Sequence, residues 1–136
     1  MLGINFNTVD LMSKALDVSE LRNEVISNNI ANVDTPGFKR SDVNFESILN
    51  DAINSNKLAG FVTDKNHIPI NSASIENIEP QIVQDNSTSM RLDGNNVDID
   101  VEMSNLAKNQ LYYDALAQRV SGELNSLLTA IKDGGN

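Results

Sequence analysis

Apolar and polar positions divide the chain into two periodic ends and a polar middle. From Val9 onward, Val9, Met12, Leu16, Ser19, Asn23, Ile26, Ile30 and Val33 fall alternately three and four residues apart, the spacing of a heptad seam with two polar interruptions. It predicts one helix over residues 8–34, its seam from Val9 to Val33 near 37 Å long at about 1.5 Å per residue. Asn7 or Thr8 is the expected N-cap, with Asp10 in the first turn. At the other end Ile99, Met103, Leu106, Gln110, Tyr113, Ala117, Val120, Leu124, Leu127 and Ile131 keep the same alternation with only Gln110 polar. This predicts a helix over 98–133 of roughly 50 Å. Asp98 or Asp100 caps it, Glu102 lies near the positive end of its dipole, and Lys132 with Gly134-Gly135 stops it. Gly122 lies inside this pattern and costs about 1 kcal/mol relative to Ala, too little to break it.

Residues 39–96 are rich in Asn, Ser and Asp, with Pro69 and Pro80 as breakers. Phe45, Ile48, Leu49, Ala52 and Ile53 follow helical spacing, which places a short amphipathic helix near 44–54 with Ser41 or Asn44 as its cap. Ile68–Ile70 and Gln81–Gln84 read as short strands. The expectation is a mainly α protein forming one domain over 1–136. Its long terminal helices pair as a coiled-coil-like hairpin around a short irregular middle with a few β-strands.

The seams do not exhaust the apolar residues. Leu11, Val18 and Val25 recur every seven residues about 200° around the axis from the first seam, with Leu21 beside them. On the last helix Leu111, Tyr112, Ala115, Leu116 and Leu128 also stand outside the seam. A helix apolar on two faces needs two sets of neighbours. Either the middle segment covers the second face, or other subunits do. The polar composition of the middle favours subunit packing through Leu11, Val18, Leu21, Val25, Leu111, Tyr112, Leu116 and Leu128. Ends of this kind stay frayed until packing offsets the entropy of ordering them.

With 136 residues, 4% aromatics and no Trp, there is little material for a large core. A net charge of −9 repels phosphate backbones and anionic lipids, so nucleic acid is not an expected partner. No Cys is present, which excludes disulfides and thiolate chemistry, and no apolar run approaches the roughly 18–20 residues that span a bilayer. The start, Met1-Leu2-Gly3-Ile4-Asn5-Phe6, lacks the basic and apolar regions of a cleavable secretory signal. The single histidine, His67, lies in the turn-like string Asp64-Lys65-Asn66-His67 and reads as a solvated loop residue. No phosphate loop, nucleophile elbow or paired acid and base is evident, so neither an enzyme, a cofactor nor a small-molecule substrate is expected. Asp93-Gly94-Asn95-Asn96-Val97-Asp98-Ile99-Asp100 is dense in oxygen ligands, but counted from Asp93 the fifth and sixth positions are Val97 and Asp98, which no EF-hand loop tolerates.

The string Asn28-Asn29-Ile30-Ala31-Asn32-Val33-Asp34-Thr35-Pro36-Gly37-Phe38 closes the first helix. Pro36 biases Thr35 out of helical backbone, and Pro36-Gly37 suits a type II turn. Placed after an amphipathic helix, the string resembles the N-terminal motif of bacterial flagellar rod and hook proteins, in which Asn-Asn-Ile-Ala-Asn leads into Thr-Pro-Gly-aromatic. Leu92-Asp93-Gly94-Asn95-Asn96-Val97-Asp98-Ile99-Asp100, Glu102-Met103, Leu106-Ala107, Asn109-Gln110 and Tyr113 resemble the start of the C-terminal helix in a proximal rod member of that family. The resemblance implies an axial subunit of the basal-body rod, exported without a cleaved signal by the flagellar type III apparatus. Its implied partners are copies of itself, other rod proteins, the basal-body adaptor and the export gate. Phe45-Glu46-Ser47-Ile48-Leu49 is similar to the gate-recognition element of early export substrates, although any amphipathic helix shows that spacing. The alternative is a soluble acidic helical binding module or export chaperone.

Overall fold

A computed structural model describes residues 6–50, 79–87 and 91–133. Their order is α1 (Phe6–Ala31), β1 (Ser41–Asn44), β2 (Gln81–Gln84) and α2 (Ile99–Asp133). The architecture is the expected one, mainly helical, with α1 and α2 packed together and two short antiparallel strands between them in sequence. The chain divides into two compact units, residues 1–43 with 83–136, and residues 44–82.

Helix α1 begins two residues before the predicted start, so Asn7 and Thr8 fall in its first turn, and it ends three residues before the predicted end. Its early stop follows from residues 28–35, where tighter turn bonds and Asn32 side-chain bonds replace the helical ladder. Asn32 Nδ2 donates to Asn28 O at 2.9 Å, and Thr35 N–H donates to Asn32 O at 3.0 Å. Val33, expected in the seam, therefore lies beyond the helix and is half-buried. Helix α2 is capped by Asp98, whose Oδ1 accepts from the Asp100 and Val101 N–H groups at 2.9 and 3.2 Å. Asp100 and Glu102 sit in its first turn and Lys132 in its last, complementing the dipole at both ends.

Strand β1 is a departure from the sequence reading, which took Ser41 and Asn44 as helix caps; Ser41–Asn44 pairs instead with β2. The Asn44 side chain still accepts a hydrogen bond from Ser47 Oγ as the chain enters helical backbone at residues 46–50. Phe45 is buried. Ala52, Ile53, the Ile68–Ile70 strand and His67 lie outside the described residues.

The apolar core of the described residues is small: Val18, Val25, Ile26, Val43, Phe45 and Val97. Ser19, Asn29, Asn95, Glu102 and Asn109 are buried as well, and all five are polar. Burying them without partners would cost several kcal/mol in total. Among the described residues, however, no buried side-chain nitrogen or oxygen lacks a hydrogen bond.

Candidate functional site

Polar side chains from sequence-distant segments converge where α1 ends and α2 begins. Asn29, fully buried on the last turns of α1, accepts at Oδ1 from the Ser41 N–H at 3.0 Å and donates from Nδ2 to Ser41 O at 2.8 Å. It reads the backbone of β1 as another strand would, and so fixes where the chain leaves the motif. The same Nδ2 donates to Glu102 Oε2 at 2.9 Å. Glu102 is 0% exposed, and its other oxygen accepts from Arg40 Nε at 2.7 Å. Arg40 also binds Asp42 at 3.0 Å. Burial alone would lower the Arg40 pKa, but the hydrogen bonds and charges of Glu102 and Asp42 outweigh it and hold the guanidinium above its ordinary value. The Arg40 backbone continues the network: its N–H donates to Asn96 Oδ1 at 2.7 Å, and its carbonyl accepts from the Asp85 N–H at 2.7 Å.

One layer further out, two turns are joined. Phe38 N–H donates to Thr35 O at 3.2 Å, with Gly37 at φ 72°, closing the turn that Pro36-Gly37 predicts. The second turn runs from Arg91 to Gly94, with Gly94 at φ 78°. Gly37 N–H donates to Asp93 O at 2.8 Å. Asn95, also fully buried, points Nδ2 at the carbonyls of Asn32, Val33 and Thr35 at 2.9, 2.9 and 3.0 Å, satisfying acceptors that the end of α1 leaves open. Its Oδ1 accepts from the Val97 N–H at 2.7 Å. Hydrogen bonds from the Arg91 guanidinium and the Asn95 N–H hold the Asp93 carboxyl below the usual range, and the Ser87 backbone and side chain do the same for Asp85. The oxygen-rich string Asp93–Asp100 thus supplies turn, clamp and cap.

A third polar cluster lies midway along the helix pair. Ser19 Oγ donates to Asn109 Oδ1 at 3.0 Å, and Asn109 Nδ2 donates to Ser19 O at 2.7 Å and to Asn23 Oδ1 at 2.8 Å. Ser19 and Asn23, which read as interruptions of the seam, are its interlock.

These clusters turn both helices relative to the expected faces. On α2 the buried and half-buried side chains fall mainly in two ranks, Glu102, Asn109, Leu116 and Glu123, and Leu106, Tyr113, Val120 and Leu127. The second rank was in the expected seam; the first was not. Ile99, Met103, Gln110, Leu124 and Ile131, expected inside, are exposed, and Ala117 is half-buried. One rank is kept and the other moves by one residue, so the inward face turns by about 50°, and it does so because two polar residues occupy the buried rank. On α1 the correction runs the other way. Val18 and Val25, expected to face other subunits, are 4% and 7% exposed within the chain. Ile26 is buried, whereas Val9, Met12, Leu16 and Ile30, and with them Leu11 and Leu21, are half-buried. Leu111, Tyr112 and Leu128 are exposed and Leu116 half-buried. Of the motif residues, Asn28, Ala31, Thr35, Pro36 and Gly37 are exposed, and Asn32 and Phe38 half-buried.

Sequence reasoning missed the roles of Glu102, Asn95, Asn109 and Arg40. A usable signal existed for Ser19, Asn23 and Asn109, since polar residues at seam positions specify register. Arg40 carried none. The described residues contain no group of three candidate metal ligands and no helix long and apolar enough to cross a membrane. The arrangement fixes one register between two helices and clamps their shared end, which is a mechanical role.

A family model described as "Flagella basal body rod protein" matches residues 14–39, the stretch that carries Ser19, Asn29 and the first turn. The chain is 38% identical over 127 residues to "Flagellar basal body rod protein FlgB" of Bacillus subtilis (strain 168), covering 93% of this chain and 95% of that one. It is 40% identical over 129 residues to the protein of the same description from Borrelia hermsii, covering 92% and 96%. For that of Escherichia coli (strain K12) the identity is 32% over 126 residues, covering 89% and 90%. The chain therefore belongs to the FlgB family of flagellar basal body rod proteins.

Proposed function

We propose that the protein polymerises through the free faces of its terminal helices into the proximal part of the hollow flagellar rod. As a member of this family it is a structural subunit of the basal body serving motility, and it associates with other rod and basal-body components. Its specific partners are copies of itself, neighbouring rod proteins, the basal-body adaptor and the export gate. The observation that carries this reading is the flank of α2: Ile99, Met103, Leu124, Leu128 and Ile131 share one side of a 35-residue helix and are each about half exposed or more. Exposed apolar residues near both ends of this side of the longer helix suit contacts repeated along a tube, and heterologous contacts that do not close generate tubes.

The test is the double substitution Leu124→Asp with Leu128→Asp. Both residues are exposed, so the isolated variant keeps the far-UV circular dichroism and melting curve of the parent. In cells we expect it to be exported but missing from purified basal bodies, with swimming lost. Normal incorporation and swimming would overturn the packing assignment. A discrete soluble complex of fixed stoichiometry would instead favour a binding module.

A further inference from the structure

The side of α2 opposite Ile99, Met103 and Leu128 is exposed as well, and its chemistry differs. Val101, Lys108 and Ala115 on one rank and Tyr112 and Arg119 on the next are all exposed, the valine at 50% and the tyrosine at 63%. No carboxylate falls on this flank between Val101 and Arg119, because Glu102 is buried and Asp114 lies on the other side. Arg119 bonds Glu123 at 3.1 Å, one turn on, yet its side chain stays 69% exposed. In a chain of net charge −9, two cations bracketing an exposed tyrosine with no acid among them make a local positive surface. Tyr and Arg are among the residues most enriched where interfaces hold tightest.

The complementary surface is on α1. Asp10, Asp17, Glu20 and Glu24 are exposed along one stripe, and none of them forms an ion pair among the described residues. Of the cations on α1, Arg22 donates to Val43 O at 3.3 Å and Lys14 is half-buried. The stripe lies on the far side of α1 from Ser19 and Asn29, which face α2 through their hydrogen bonds to Asn109 and Glu102. It therefore turns away from the α2 flank of its own chain. The two surfaces match in length: Lys108 and Arg119 lie about 16 Å apart along α2, and Asp10 and Glu20 about 15 Å apart along α1. With Lys108 opposite Glu20 and Arg119 opposite Asp10, Tyr112 falls opposite Asp17. Two copies of so acidic a chain repel except where a cationic surface meets an anionic one.

We propose that the α2 flank carrying Lys108, Tyr112 and Arg119 receives the acidic stripe of α1 from a second copy of the chain. The proposal rests on the rod reading above and names a second surface, distinct from the side that carries Leu124 and Leu128, together with its occupant. Tyr112 supplies the buried anchor, and the two cations set the partner and its register by charge. Each copy carries both halves on different faces, so the contact is heterologous and continues from subunit to subunit.

The chain contains no cysteine, so disulfide trapping reads the contact directly. Two full-length versions are expressed together in cells lacking the unsubstituted protein, one with Asp17→Cys and the other, epitope-tagged, with Tyr112→Cys. After oxidation of purified basal bodies, the mixed dimer is expected at least tenfold above a control pair in which Asp114→Cys, on the other side of α2, replaces Tyr112→Cys. A smaller excess overturns the proposal. As a second arm, Lys108→Glu with Arg119→Glu lowers incorporation into basal bodies at least tenfold, and adding Asp10→Lys with Glu20→Lys to the same chain restores it to within twofold of the parent. Normal incorporation of the first variant, or no recovery in the second, also overturns it. Should the charge reversal abolish the cooperative melt of the isolated chain, the disulfide arm decides alone. If the unsubstituted protein is found in basal bodies while these arms fail, only this contact is lost; if it is absent from them, the rod reading itself fails.

Discussion

The substitution Glu102→Gln isolates the polar clamp, because it keeps side-chain volume and changes only what the two terminal atoms can do. The carboxylate accepts from Asn29 Nδ2 at 2.9 Å and from Arg40 Nε at 2.7 Å. A carboxamide has one acceptor oxygen and one NH2 group, so in either orientation one of those donors meets another donor. Losing a hydrogen bond to a charged group costs roughly 1.5–3 kcal/mol, and an unsatisfied buried donor adds about 1–3 kcal/mol. The Arg40 side chain is 21% exposed and keeps Asp42, so relaxation on that side puts the total near the lower half of the range, about 3 kcal/mol. For a chain of this length that is a loss of about 10 °C in melting temperature. Urea unfolding of the purified protein followed by far-UV circular dichroism measures it directly. A double-mutant cycle with Asn29→Ala adds a second reading: side chains sharing a buried bond couple by about 1 kcal/mol or more. A change below about 0.5 kcal/mol at unchanged m, or strict additivity in the cycle, would refute the view that this carboxylate holds the helix ends together.

Val25→Ala removes two methyl groups from the interior of the helix pair and lowers stability by about 2 kcal/mol, measured by the same unfolding curves. Val18→Asp with Val25→Asp abolishes folding of the isolated chain, so loss of swimming in that variant would report instability and not a blocked interface; a cooperative melt close to the parent would contradict this. At Gly94 no atom lies closer than 3.8 Å to an added Cβ, so Gly94→Ala is opposed by the positive φ alone. It should cost roughly 1–2 kcal/mol, with Gly94→Asn recovering part of that. Asp93 and Asp85 titrate below the usual carboxylate range when folded, the first through Arg91 and the second through the Ser87 backbone. Their contribution to stability is complete above the unfolded carboxylate pKa and disappears as pH falls through the depressed folded values. Melting temperature should therefore drop on acidification from about pH 5 downward, and less steeply in Asp93→Asn; an unchanged slope in that variant would rule out Asp93 as a contributor.

Hydrophobic periodicity was sufficient to identify the two long helices and their pairing, because it reports a local angular preference that survives any tertiary context. Leu106, Tyr113, Val120 and Leu127 were legible for that reason, as were the Asp98 cap and the Pro36-Gly37 turn, whose chemistry is contained within a few residues. The face each helix turns inward was not legible. It depends on Ser19 meeting Asn109 and Asn29 meeting Glu102, pairs separated by 90 and 73 residues. A polar residue counts as an outward vote until its partner is known. Only the folded chain supplies that partner, and it moved Val18 and Val25 inside and left Met103, Leu124 and Ile131 outside. Arg40 and β1 were decided the same way, since four residues of modest strand propensity form a strand there because Asn29 and β2 are waiting for their backbone.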